Sequence, residues 1–181
     1  GLNLQTPVVL GKIDVDSTAG AVLAKRGPVD LVLTPANIGA GFDKLAIAAQ
    51  QGRVVGLPDG SNPFGAAALE VNGGEIVLSA GTTNTVYNNR LGVSGNGTLT
   101  AGKGTATAAD SAAITFGSAT RDIAVDAGRV AVRSTDGYTL DMAGILSGAG
   151  TLAVTEGDVT LSGGGVLGGL EAAGGKLTLA K

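Results

Sequence analysis

The sequence predicts an all-β solenoid: a right-handed parallel β-helix of about seven coils, three strands to a coil, with a period of about 22–25 residues. Three observations carry this reading. Apolar residues pair at a spacing of seven along the chain, and a glycine stands two positions before the second member of each pair. The composition, 32 Gly with 3 Phe, 2 Tyr and no Trp in 181 residues, leaves small aliphatic side chains to build the core, which suits thin, regular layers.

In chain order the pairs are Val22 with Val29, Ile47 with Val54, Leu69 with Ile76, Leu91 with Leu99 (one residue longer), Ile123 with Val130, Ile145 with Leu152, and Leu170 with Leu177. Their glycines are Gly27, Gly52, Gly74, Gly97, Gly128, Gly150 and Gly175, each followed by Pro28, Arg53, Glu75, Thr98, Arg129, Thr151 or Lys176, a mostly polar set that marks the solvent side. First members recur at the period of the coil except for one longer step, from Leu91 to Ile123, and the second members keep step with them. A third ladder at Ile38, Phe64, Val86, Phe116, Leu140 and Leu161 follows the second at a nearly constant interval, except that Phe116 lies much farther beyond Leu99. That excess predicts a loop insertion at 101–113, from Ala101 to Ala113.

Local alternation supports strands with one buried face, as in Leu69-Glu70-Val71 and Arg129-Val130-Ala131-Val132. Turns fall at Asn72-Gly73-Gly74, Asn96-Gly97 and Asp126-Ala127-Gly128, residues that accept positive φ. Glycine recurs too often for helices, at about 1 kcal/mol each relative to Ala. One short helix is expected at Gly41 to Gln51, where Phe42, Leu45 and Ala49 have helical spacing. An antiparallel sandwich is the alternative architecture, but hairpins do not explain three ladders advancing together. The chain, 1–181, reads as one β-helix segment.

Several function classes are disfavoured by inventory. With no His and no Cys, Ser-His and Cys-His nucleophile systems, zinc sites and disulfide frameworks lack their residues. A net charge of −3 without charge runs makes nucleic acid a poor partner, and no apolar stretch approaches the roughly 20 residues of a membrane span. The opening Gly1-Leu2-Asn3-Leu4 reads as a cut within a longer or processed protein, and the lack of cysteine suits an exported bacterial chain.

Between Leu140 and Gly163 the run Ile145-Leu146-Ser147-Gly148-Ala149-Gly150-Thr151-Leu152 is followed by a Gly157 turn and Val159-Thr160-Leu161-Ser162-Gly163. This resembles the autotransporter-associated β-strand repeat, also called the passenger-associated transport repeat, of large bacterial surface proteins. Looser echoes occur at Leu91 to Ala101 and Asp122 to Val132. The family continues with an Asn-x-Tyr-x-Gly-x-Thr segment, whereas Gly164-Gly165-Val166-Leu167 follows here. The resemblance implies a β-helical passenger stalk exported to the cell surface, extracellular in location.

Candidate sites are few. Gly97 to Thr105 approaches a phosphate-binding loop around Lys103, but Gly104 replaces the Mg²⁺-binding hydroxyl and no helix is expected to follow. Asp14 and Asp16 offer oxygen ligands of the kind Ca²⁺ takes, yet alternation puts both on a solvent face. Arg121, Asp122, Asp126, Arg129 and Arg133 form the one cluster comparable to those of polysaccharide-acting β-helices, and a solvated charged edge explains it. Asn96-Gly97-Thr98 matches a glycosylation acceptor that an Asn-Gly turn explains equally.

No catalytic, cofactor-binding or metal residue is assigned. The expected function is a structural stalk of an exported surface protein; an adhesin binding a surface ligand through the 101–113 insertion is the alternative, and a polysaccharide-acting enzyme the third. Leu99, Val130, Leu152 and Leu177 are expected on one inner ladder. Residues 102–112 are expected to tolerate deletion. Open strand edges are expected at both ends, covered by further coils of the same chain or by identical copies stacked end to end.

Overall fold

The structure, a computed structural model, describes residues 2–3 (backbone only), 10–16, 18–82 and 84–180. The first coil holds β1 (Leu2–Asn3), β2 (Ala21–Arg26) and β3 (Leu31–Leu33), and the second β4 (Leu45–Ala49) and β5 (Arg53–Gly56). Four coils of three strands follow. They comprise β6 (Ala68–Val71), β7 (Glu75–Leu78) and β8 (Thr85–Tyr87); β9 (Leu91–Val93), β10 (Gly97–Ala101) and β11 (Ala113–Phe116); β12 (Asp122–Val125), β13 (Arg129–Ser134) and β14 (Thr139–Met142); and β15 (Ile145–Ser147), β16 (Thr151–Glu156) and β17 (Asp158–Leu161). The last coil holds β18 (Gly169–Ala172) and β19 (Lys176–Leu179).

These strands build three parallel sheets. The first has the order β1-β2-β4-β6-β9-β12-β15, the second β3-β5-β7-β10-β13-β16-β18 and the third β8-β11-β14-β17-β19. The chain visits the sheets in rotation, which is the topology of a parallel β-helix. On the third side of the first two coils, strands give way to a 3-10 turn at Pro35–Asn37 and to the segment carrying the buried Phe64. The helix expected at Gly41 to Gln51 is instead one 3-10 turn, Phe42–Lys44, leading into β4. There Leu45, Ile47 and Ala49 all point inward, because burial at period two in a growing sheet outweighs a single helical spacing.

Inside the rod, side chains stack on their own kind. The first sheet lines up Leu23, Ile47, Leu69, Leu91, Ile123 and Leu146. The second lines up Leu31, Val54, Ile76, Leu99, Val132 and Val154, with Val130, Leu152 and Leu170 beside them. The third carries Tyr87, Phe116, Met142, Leu161 and Leu179, flanked by Ile114, Leu140, Val159 and Leu177.

Five ladder positions differ from expectation. Val22, Val86 and Ile145 face solvent, and Leu23, Tyr87 and Leu146 take the inward places; each is a slip of one residue where two apolar side chains adjoin. Val29 falls in a longer corner, so Leu31 is the residue that stacks on Val54. Val130 and Leu152 do share a column, but Leu99 stacks on Val132 and Leu177 lies in the third sheet on Val159. The cause of the last difference is the tightness of the final coil: the steps from Leu152 to Leu170 and from Val159 to Leu177 are the shortest of their sheets. Gly163, Gly164 and Gly165 have no side chains to furnish an inner wall, and the first sheet is reduced there to one bridge, Leu146 to Gly165.

Corners stack as closely as the strands. Glu75 donates its amide to Gly52 O at 3.0 Å and Thr151 to Gly128 O at 2.9 Å, so the ladder runs on through the turns. Gly128 turns through φ 74°, whereas Gly150 is required by proximity: a Cβ there would meet Gly128 O and Val125 O at 2.9 Å. Lys25 occupies an inward position in the column of Ala49, and its ammonium donates to Gly27 O at 2.5 Å, Arg26 O at 2.9 Å and Gln51 O at 3.0 Å. Burial lowers its pKa, partly opposed by Asp30. At the third-side corner Asn62 donates to Asn89 Oδ1 at 2.8 Å, and Asn89 to Ala67 O at 2.8 Å.

The reversed facing of Ile145 and Leu146 gives a direct check. Leu146→Asp buries an unpaired charge and is expected to cost about 3–5 kcal/mol, whereas Ile145→Asp, at an exposed position, is expected to change stability by less than about 1 kcal/mol. Urea unfolding of the two variants tests the register; equal losses contradict it.

Candidate functional site: the outer face of the second sheet

The second sheet carries most of the charge that the structure organises. Outward positions on consecutive strands juxtapose Arg53 with Glu75 and Thr100 with Arg133, as the register requires. Arg53 forms an ion pair with Asp30, which holds the guanidinium pKa above its usual value. Arg133 donates to Glu75 Oε1 at 2.9 Å and to Thr100 Oγ1 at 2.9 Å, and Thr100 Oγ1 donates to Glu75 at 2.6 Å. Arg129 reaches past β16 to Glu171 at 3.1 Å. These side chains are partly exposed, so each pair contributes less than about 1 kcal/mol.

The sequence-derived cluster is thereby divided. Arg129 and Arg133 belong to this face, while Arg121 and Asp122 stand at the head of the first sheet and Asp126 in a corner. Asp122 and Asp126 are exposed, and Arg121 Nε is buried without a hydrogen-bond partner among the described residues. The acids that complete the pairs, Asp30, Glu75 and Glu171, are not among the expected site residues. Their signal is present in part, since Arg53 and Glu75 both follow a corner glycine in successive coils.

Residues 102–112 join β10 to β11, and they lie against the rod. Val55 and Val77 project from the outer face of the second sheet, yet they are 0% and 2% exposed. Gly104 closes over them: a Cβ at this position would collide with Val55, Val77 and Ser79. Ser79 Oγ donates to Gly102 O at 2.9 Å and accepts from Gly104 N at 2.9 Å. Tyr138 OH donates to Ala109 O at 2.8 Å and accepts from Ala80 N at 3.2 Å, while Ala109 N bonds Ala80 O at 2.9 Å. The expected deletion tolerance is therefore corrected, because this segment is the cover of an apolar stripe.

Its chemistry is spent on the same task. Lys103, the phosphate-loop candidate, forms an ion pair with Asp110, which raises the lysine pKa and lowers that of the carboxyl. Asn96, in the candidate glycosylation acceptor, takes the Arg129 amide at 3.0 Å. Asp14 takes the Ala40 amide at 2.7 Å, and Asp16 is exposed. Among the described residues no three His, Cys, Asp or Glu side chains gather as a metal site, and no helix is long and apolar enough to cross a membrane. A hollow of about 270 Å³ lies between the loops at Pro58–Asn62 and Gly81–Val86, with Asp59 its one charged wall among the described residues. All five aromatic side chains, Phe42, Phe64, Tyr87, Phe116 and Tyr138, are buried, so none offers a stacking surface.

Replacing residues 102–112 by a short Gly-Ser link is expected to lower stability by about 2–5 kcal/mol, through exposure of Val55 and Val77, and to raise binding of an apolar dye. Unchanged melting contradicts the covering role. The Asp110 carboxyl is expected to titrate below the ordinary aspartate range in a carbon-detected NMR titration and to return to it in Lys103→Met. The ion pair's contribution is present above the ordinary carboxyl pKa and is lost as pH falls through the depressed value.

The chain is similar to no family model, no curated protein and no solved structure.

Proposed function

We propose that this chain is a structural stalk, a β-helical segment of an exported bacterial surface protein that holds other parts of the molecule away from the cell. The observation that carries the reading is the use to which its residues are put. Aliphatic columns fill the interior, every aromatic ring is buried, and the described charged side chains with the closest partners are tied to one another along the outer face. Resemblance of Leu140 to Gly163 to the passenger-associated repeat supplies the surface location. The adhesin alternative relies on the insertion, whose backbone and Lys103 are engaged in covering the second sheet.

A spacer has a simple quantitative property. Its length is set by coil number, at about 4.8 Å per coil, and each coil contacts only its neighbours. Duplicating residues 122–144 in place, so that residue 144 leads back into Asp122, is expected to add one coil and lengthen the rod by about 5 Å in solution scattering, with cooperative unfolding retained. Antibodies raised against the chain are expected to label intact bacteria that produce it. Labelling that requires permeabilised cells overturns the surface reading, and saturable binding to a panel of glycans or matrix proteins overturns the purely structural one.

A further inference from the structure

The two ends of the rod differ. At the N-terminal end the inward residues of the outermost strand of the second sheet, Leu31 and Leu33, are 1% and 0% exposed. Leu10, Ile13 and Val15 pack against the core there, and Asn37 Nδ2 fastens the segment by donating to Leu10 O at 2.7 Å and Gly11 O at 3.0 Å. Ile13 N bonds Asn37 O at 2.9 Å, and Val15 N bonds Ala40 O at 2.8 Å. This end is closed. At the opposite end the inward columns finish on exposed residues: Leu170 is 42% exposed and Leu179 64% exposed, with Ala172 exposed beside them.

The backbone at that end is also incomplete. In β18 the amides of Gly169 and, just beyond it, Ala173 bond back to Gly150 and Val154; in β19 those of Lys176 and, just beyond it, Ala180 bond back to Gly157 and Leu161. Alternation along a parallel strand then turns the amides of Leu170, Ala172, Leu177 and Leu179 toward the open side. The same four residues present apolar side chains over the end of the core and unpaired backbone groups along the axis. An occupant must supply strand edges and an apolar centre of the same outline.

We infer that this occupant is a second copy of the chain, joined C-terminal end to C-terminal end about a two-fold axis. Another copy's last coil meets both requirements by identity, and a two-fold contact is self-complementary. A head-to-tail stack fails because the N-terminal end is already closed by residues 10–16. The association therefore stops at two copies. It deepens the stalk reading by naming a partner, but it is a property of the isolated chain and does not depend on where the protein acts.

Sedimentation equilibrium of the 181-residue chain from about 1 μM to 1 mM tests it, a range that spans weak to moderate self-association. The expected result is a monomer–dimer equilibrium with no larger species. Leu179→Lys places like charges across the axis at a position already exposed, and is expected to weaken the dimer at least tenfold with monomer melting unchanged. Val32→Lys, an exposed position at the other end, is expected to leave the dimer intact. On the parent chain, hydrogen exchange at the amides of Leu170, Ala172, Leu177 and Leu179 is expected to slow with rising concentration. A monomer throughout, open-ended polymers, loss of the dimer in Val32→Lys, or exchange independent of concentration overturns the inference.

Discussion

Everything in this rod follows from one constraint: each coil must sit about 4.8 Å above the last with its backbone in parallel register, so every inward side chain rests on a side chain of the next coil. Stacking of this kind rewards like on like. Ile47 lies under Leu69 and Leu69 under Leu91, and bulky rings collect on the third side, where Phe64 and Tyr87 approach to 5.7 Å between ring centres. The hydroxyl that Tyr87 brings inside is satisfied by Gly56 O and Ser79 O, and burial raises its pKa well above the usual value. Close coil spacing also decides the corners, where glycine is needed as often for proximity as for its dihedral angles.

Much of this is legible in the sequence because the constraint writes a period into it. Ile47, Leu69, Leu91 and Ile123 are read correctly from spacing alone, and so are Val54, Ile76 and Leu99. Errors arise where spacing is degenerate. Ile145-Leu146 and Val22-Leu23 each offer two apolar neighbours, and only contact with adjacent coils selects the inward one. Leu170 and Leu177 keep the same spacing with a glycine before the second member, yet they straddle the next corner of the rod, because the two kinds of corner share that pattern. A glycine-rich run that skips one face cannot be recognised without knowing which side of the coil it occupies.

The outer face is less legible. Ion pairs such as Arg133 with Glu75 join coils two apart, and a pairing across 58 residues has no local signal. The cover formed by residues 102–112 leaves a trace that alternation discounts: Val54-Val55 and Ile76-Val77-Leu78 are continuous apolar runs, which is what strands buried on both faces require. Stability resides chiefly in the aliphatic columns, since the ion pairs are partly exposed. Removing one pair trims the surface, whereas removing the cover uncovers two valines at once.

The uneven perimeter of the coils has a consequence of its own. In the first sheet the stretch of chain between stacked residues is short from Leu69 to Leu91, longest from Leu91 to Ile123, short again from Ile123 to Leu146, and shortest from Leu146 to Gly165. A stack of identical turns could slide by a whole turn during folding and find a nearly equivalent set of contacts, a trap available to any perfect repeat. Here the turns work like the unequal divisions of a vernier. A displaced turn would leave a gap or a surplus of backbone, so the irregular lengths that blur the repeat in the sequence also allow only one alignment of the finished rod.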